Sequence, residues 1–215
     1  METVDTKELD TSICDYKTPS ESSTGNSALH EAVLTNNINC VRKLLADNHT
    51  DLNMQNKEGK TPVHLAVCHH YHQILDILME RDGNASKRDW EGLTPLHVAA
   101  NDGDVTSVRI LLNSAGGQQS LNAASKIGDS PLHMACKKGN KESARILINN
   151  NATLNNTNTY GATPLYNSIA NNHEELTWFL LDNGAKLSDM RMDPFGGLRA
   201  RGMNTFLHRL LGEKT

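Results

Sequence analysis

Apolar positions in this chain fall into two alternating clusters. In the first, a Ser or Thr precedes Leu29, Val63, Leu96, Leu132 or Leu165, followed by small residues such as Ala32, Ala66, Ala99, Ala100 and Ala135. The hydroxyl predicts a helix N-cap. In four of the five clusters a Pro takes the first helical position, where its missing N–H costs nothing. In the second cluster apolar residues recur at spacings of three and four: Val41, Leu44, Leu45; Leu75, Leu78, Met79; Val108, Leu111, Leu112; Leu147, Ile148; Leu180, Leu181. That spacing predicts a second helix with one buried face. Nine places after each hydroxyl residue stand Asn36, His70, Gly103, Gly139 and Asn172, types that tolerate the positive φ found just past a helix C-terminus. The predicted unit is helix, tight turn, helix, then an extended loop rich in Asn and Gly.

The unit recurs. Thr-Pro-Leu-His or a near copy begins at Ser27, Thr61, Thr94, Ser130 and Thr163, in steps of 34, 33, 36 and 33 residues. A Gly stands two places before each copy, at Gly25, Gly59, Gly92, Gly128 and Gly161. Such a period marks a solenoid whose units lean on their neighbours and do not fold singly. The expected architecture is all-α, with five units at about 25–57, 58–90, 91–126, 127–159 and 160–188 behind a disordered polar segment at 1–24. Three extra residues within Asn113–Ala123, a stretch containing Gly-Gly-Gln-Gln, are placed in the outgoing loop of the third unit. Beyond Ser188 the period fails. Residues 189–203 are expected to form an irregular linker, and 204–215, where Thr205 to Leu211 revive the motif, a half-unit helix capping the fifth unit.

The third unit reads Asp89-Trp90-Glu91-Gly92-Leu93-Thr94-Pro95-Leu96-His97-Val98-Ala99-Ala100, with Gly103, Val108, Leu111 and Leu112 behind it. This resembles the ankyrin repeat, over about residues 21–188. The resemblance implies a right-handed solenoid of stacked antiparallel helix pairs with β-hairpin-like finger loops along one edge. The first unit departs from the pattern by lacking Pro, the fourth by Cys136 in place of a second Ala, and the fifth by Tyr166 in place of His.

Charge changes the picture little. Of the net charge of −4, all lies in residues 1–24, where six acids face two lysines; the rest balances at 19 against 19. No overall field favours direct contact with nucleic acid or an anionic membrane. No run approaches the ~20 apolar residues of a membrane span. Cys14, Cys40, Cys68 and Cys136 lie far apart with no C-x-x-C pair, so four free thiols and a cytoplasmic protein, which also enters the nucleus, are expected.

The chain shows no G-x-S-x-G, phosphate loop, G-x-G-x-x-G or H-E-x-x-H pattern, so neither an enzyme nor a cofactor is expected. His30, His64, His97 and His133 lie a whole unit apart. Layers ~10 Å apart set them too far from one another to share an ion whose Zn–N bonds are ~2.1 Å. Their expected role is a hydrogen bond from imidazole to the neighbouring finger. His69, His70 and His72 gather with Tyr71 around a turn; a helical turn brings His69 and His72 together, but those two ligands without a Cys or carboxylate nearby make a poor site, so no metal is expected.

A solenoid presents a long surface rather than an enclosed pocket, which points to a protein partner and to no small-molecule substrate. Given the implied geometry, two sets of side chains are free of packing. The finger tips carry Lys57, Glu58, Lys60; Trp90, Glu91, Leu93; Lys126, Ile127; and Thr159, Tyr160. The ends of the first helices carry Cys68, His69; Asn101, Asp102; Lys137, Lys138; and Ala170, Asn171. Trp90, Leu93, Ile127 and Tyr160 make an apolar row across three fingers.

Asp51-Leu52-Asn53-Met54-Gln55-Asn56, Lys60-Thr61-Pro62-Val63-His64-Leu65-Ala66-Val67 and Lys87-Arg88-Asp89-Trp90-Glu91-Gly92 are similar to the IκB group of ankyrin proteins. That similarity implies an inhibitor whose groove clasps a Rel homology region of an NF-κB-type factor, monomeric on its own. A cytosolic adaptor with an unrelated protein partner is the competing expectation.

Overall fold

Hydroxyl residues start five short helices. The side-chain oxygens of Ser27, Thr61, Ser130 and Thr163 each accept the backbone N–H three residues on, pairing one donor that a helix start leaves open. The computed structural model describes residues 23–47 and 49–189. In it the first helices are α1 (Ala28–Leu34), α3 (Pro62–Cys68), α5 (Pro95–Asp102), α8 (Pro131–Lys138) and α10 (Pro164–Ala170). Just past each, Asn36, His70, Gly103, Gly139 and Asn172 take φ between 52° and 78°, which turns the chain back. The second helices follow: α2 (Ile38–Ala46), α4 (His72–Glu80), α6 (Val105–Leu112), α9 (Lys141–Asn149) and α11 (Glu174–Asp182).

Each pair buries its apolar face against the next pair. α3 packs against α1 and α5, and α8 against α5 and α10. Leu29, Val63, Leu96, Leu132 and Leu165 are fully buried in successive layers, backed by Leu75, Leu78, Leu111, Leu147 and Leu180. Ala66, Ala99, Ala100 and Ala135 are buried with them, their size letting the helices come close. The outcome is one continuous apolar seam with no common centre.

Two kinds of bond recur from unit to unit. On the finger edge, Lys57, Trp90, Lys126 and Thr159 donate their backbone N–H to Thr24, Glu58, Glu91 and Ile127 of the preceding finger at 3.0, 3.1, 2.9 and 3.0 Å. Within each finger a hairpin-like turn closes: Asn56 N–H reaches Lys60 O and Asp89 N–H reaches Leu93 O. Among the described residues these bonds do not extend into strands. The second joint is the histidine. The backbone N–H of Ser27, Thr61, Thr94 and Ser130 donates to Nδ1 of His30, His64, His97 and His133. Nδ1 is therefore the acceptor, and Nε2 carries the proton toward a carbonyl of the next finger: Lys60, Leu93, Asp129 and Ala162 at 3.0 to 3.1 Å. The four rings are neutral by geometry, and burial holds the pKa of His64 and of His97 down to about 4.

Two expectations are corrected. The Gly-Gly-Gln-Gln stretch is a helix, α7 (Ala115–Ser120), capped by the Ser114 hydroxyl on the N–H of Gly117 at 3.1 Å. Its glycines, poor helix formers in isolation, are there for contact. Gly117 is buried against the Leu111 carbonyl, Gly116 lies on the Ala85–Ser86 backbone, and the Ser120 hydroxyl donates to Ala85 O at 3.0 Å. A methyl at position 117 would be driven into the Leu111 carbonyl. Gly117→Ala is accordingly expected to lower stability by about 1–3 kcal/mol, through overpacking, in a urea titration. The second correction concerns the thiols. Cys68 and Cys136 are free, whereas Cys40, wholly buried on α2, is disulfide-bonded. Wide spacing along the sequence does not bound distance in space. The expectations for residues 1–22, for the linker beyond 189 and for the half-unit at 204–215 fall outside the described residues.

Candidate protein-binding surface

The second and third fingers and the first helices behind them enclose a groove of about 650 Å³. Eight of the residues proposed from sequence line it: Lys57, Glu58, Lys60, Cys68, Trp90, Glu91, Leu93 and Asn101. Its floor is apolar and comes from residues that sequence reasoning passed over, Val98 on α5 and Met134 on α8. Both stand four places after the N-cap residue, on the side of the first helix that the stack leaves half-covered. That position was a readable signal.

The charges at the groove mouth are arranged by the finger turns. The Asp89 carboxylate accepts the N–H groups of Glu91 and Leu93, both at 2.9 Å, which shapes the third finger. Asn56 does the same for Glu58 and Lys60 on the second, and Asn158 for Tyr160 and Ala162 on the fifth. Lys60 Nζ pairs with Glu58 at 2.8 Å, which raises its pKa. Burial pushes the Cys68 thiol up, so it is a weakly reactive wall of the groove rather than a nucleophile.

Three large apolar side chains stay in the open: Trp90 at 62% exposure, Ile127 at 39% and Tyr160 at 65%. Trp90 does two things at once. The edge of its indole rests on Gly59 of the preceding finger, where a Cβ would collide with it, and the rest faces solvent. The left-handed φ of 74° at Gly59 and this close approach both call for glycine.

The remaining proposed residues are spread along the row. Ile127, Lys137 and Tyr160 line a shallower groove of about 220 Å³ with Tyr166 and Asn167. Lys126 lies beside Trp90 on the outer side of the fingers, near Arg88 and Gln55. Thr159 spends its hydroxyl on Ile127 O at 2.8 Å, and Asn171 its amide on Asn167 O at 2.9 Å. Asp102 accepts from Asn101 at 2.8 Å, and His69 stacks on Tyr71 with centroids 5.5 Å apart. Lys138 is exposed at the end of α8, and Ala170 is half-buried at the end of α10. None of these six lines either groove.

The family model described as ankyrin repeats (3 copies) matches residues 29–123 and 117–191. The chain is an ankyrin-repeat protein. Its relatives include the nuclear factor NF-kappa-B p105 subunit of Gallus gallus, 36% identical over 94 residues, 43% of this chain and 9% of that protein. NF-kappa-B inhibitor alpha of Sus scrofa is 36% identical over 98 residues, 44% of this chain and 31% of that one. The target of rapamycin complex 2 subunit AVO2 of Saccharomyces cerevisiae is 30% identical over 98 residues, 46% and 22% respectively. This ankyrin-repeat protein thus spans less than a third of the length of these curated relatives. Among solved structures it is similar to the ankyrin repeat domain of Bcl-3, a member of the IκB protein family. That match has a TM-score of 0.78 and 25% identity, covering 89% of this chain and 88% of the other. Among the described residues, no helix is long and apolar enough to cross a membrane.

Proposed function

We propose that this ankyrin-repeat protein is a non-enzymatic inhibitor that sequesters a Rel/NF-κB-type transcription factor along the groove and finger tips of its second to fifth units. The observation that carries the reading is the exposure of Trp90, Ile127 and Tyr160 on successive fingers beside an apolar-floored groove. A solenoid has no packing reason to present aromatic faces to water, and Trp and Tyr are the side chains that most often dominate a protein interface. The groove rim mixes Lys57 and Lys60 with Glu58 and Glu91, which suits a partner segment of both signs rather than a nucleic acid. The relatives named as NF-kappa-B inhibitor and the IκB-family ankyrin domain support the choice of partner. In this reading the chain acts as a monomer in the cytoplasm and the nucleus.

Calorimetric titration of the full chain with a purified Rel homology region tests it. A one-to-one complex at micromolar concentration or tighter is the expected result. Absence of heat and of co-elution at that concentration removes the inhibitor reading. It would favour a second one, a cytosolic adaptor for an unrelated protein, which the similarity to the AVO2 subunit supports.

A further inference from the structure

Where α4 and α6 begin, the joint between the second and third units differs from the others. In the later units the residue capping the second helix reaches back to a backbone carbonyl. Asn140 donates to Ala100 O and Asn101 O at 2.9 and 2.7 Å, and His173 Nε2 lies 3.1 Å from Lys137 O. The third unit has Asp104 at this place, and a carboxylate cannot donate to a carbonyl. The preceding turn answers with two imidazoles. His70 Nδ1 lies 3.0 Å from Asp104 Oδ2, and His72 Nε2 lies 2.8 Å from the same oxygen. The carboxylate that the sequence reading found missing beside these histidines is therefore supplied one full unit later.

We infer that His70, His72 and Asp104 form a binding site for a late first-row divalent cation, zinc above all, that clips the second unit to the third. The three ligand atoms all lie within 4.8 Å of one another. Around tetrahedral zinc, with bonds of about 2.0–2.2 Å, ligand atoms stand roughly 3.4 Å apart. The two His–Asp distances must therefore open by about half an ångström on loading. The surroundings permit that. Asp104 is the rigid anchor, its side chain only 6% exposed, held by the Ser107 hydroxyl at 2.6 Å and the Ser107 N–H at 3.1 Å. His70 and His72 are 51% and 39% exposed, so they can adjust, and the solvent side leaves the fourth position to water. Hydrogen bonds that orient a ligating carboxylate are what metal sites use to hold it ready. Two imidazole nitrogens with one carboxylate favour zinc over calcium or magnesium, which demand all-oxygen shells.

The test uses untagged full chain stripped of metal, titrated with zinc chloride against a chromogenic chelator, and with cobalt(II) to read the ligand geometry from its visible spectrum. One zinc per chain is expected, with the thermal midpoint rising by about 5–10 °C when free zinc is a hundredfold above its Kd. Asp104→Asn keeps a good helix cap but weakens the bonds to His70 and His72, so its zinc-free melt should drop by only a few degrees while zinc affinity falls at least tenfold. His70→Ala, at a half-exposed side chain, should do the same. No zinc binding by the wild type overturns the site. So does zinc binding that Asp104→Asn and His70→Ala leave unchanged, because the ion would then sit elsewhere and the cluster would be a hydrogen-bonded joint alone.

Discussion

Taking this protein from pH 7 to pH 4 is expected to remove about 6 kcal/mol of folding stability, enough to unfold an ordinary domain of its size. The cause is the row of histidine joints. His64 and His97 are held neutral with pKa values of about 4, against 6.5 in an unfolded chain. Burial and the N–H donated to Nδ1 both oppose a second proton. Because the folded value is the lower one, the unfolded chain binds protons first as the pH falls. The stability from each ring is complete above pH 6.5 and drains away down to about pH 4. Each ring contributes about 2 kcal/mol of this loss by pH 5 and about 3 by pH 4. His30 and His133 shift in the same direction and add to it. The Asp104 carboxyl, held low by the Ser107 and histidine bonds, loses its contribution only as the pH falls through the ordinary carboxylate range, beneath this window. Urea midpoints at pH 7, 5.5 and 4.5 should fall steadily. Midpoints that stay level over that range would show that the rings are not held neutral.

The second large effect is on binding. Trp90→Ala and Tyr160→Ala should each weaken the proposed complex by about 2 kcal/mol, roughly thirtyfold, because an interface aromatic loses its whole buried face on truncation. They stand on fingers separated by another, so the double variant should lose roughly the product, about a thousandfold. Both side chains are more than 60% exposed in the free protein, and neither loss should move the thermal midpoint by more than a degree or two. Calorimetry gives the first quantity and a circular-dichroism melt the second. Unchanged affinity in the double variant would dismiss the finger row as the contact surface. A large drop in melting temperature would mean that the indole on Gly59 serves to brace the fingers.

The helix pairs were legible because their signals are local and repeated. A hydroxyl cap, a proline at the first turn, a buried Leu or Val and a positive-φ residue each act within a few residues of where they stand, and the repeated copies reinforce one another. The histidine joints were legible for the same reason, since the relation of His97 to its finger partner is repeated in each of the first four units. What escaped depended on contacts across layers. Gly116 and Gly117 read as loop residues because intrinsic propensity speaks against helix there. Only the carbonyl of Leu111 and the backbone at Ala85 show why nothing larger fits. Asp104 lies 34 residues from His70, and only stacking makes them neighbours. Val98 and Met134 stand half inside the stack, as a groove floor must, and so belong neither with the buried layers nor with the side chains wholly free of packing.

The joints have a mechanical consequence. The same two partners, a finger amide and an imidazole, recur from layer to layer, so the seating of one layer on the next is copied along the row. Because each unit touches only its neighbours, weakening one joint is felt first by the two units it links.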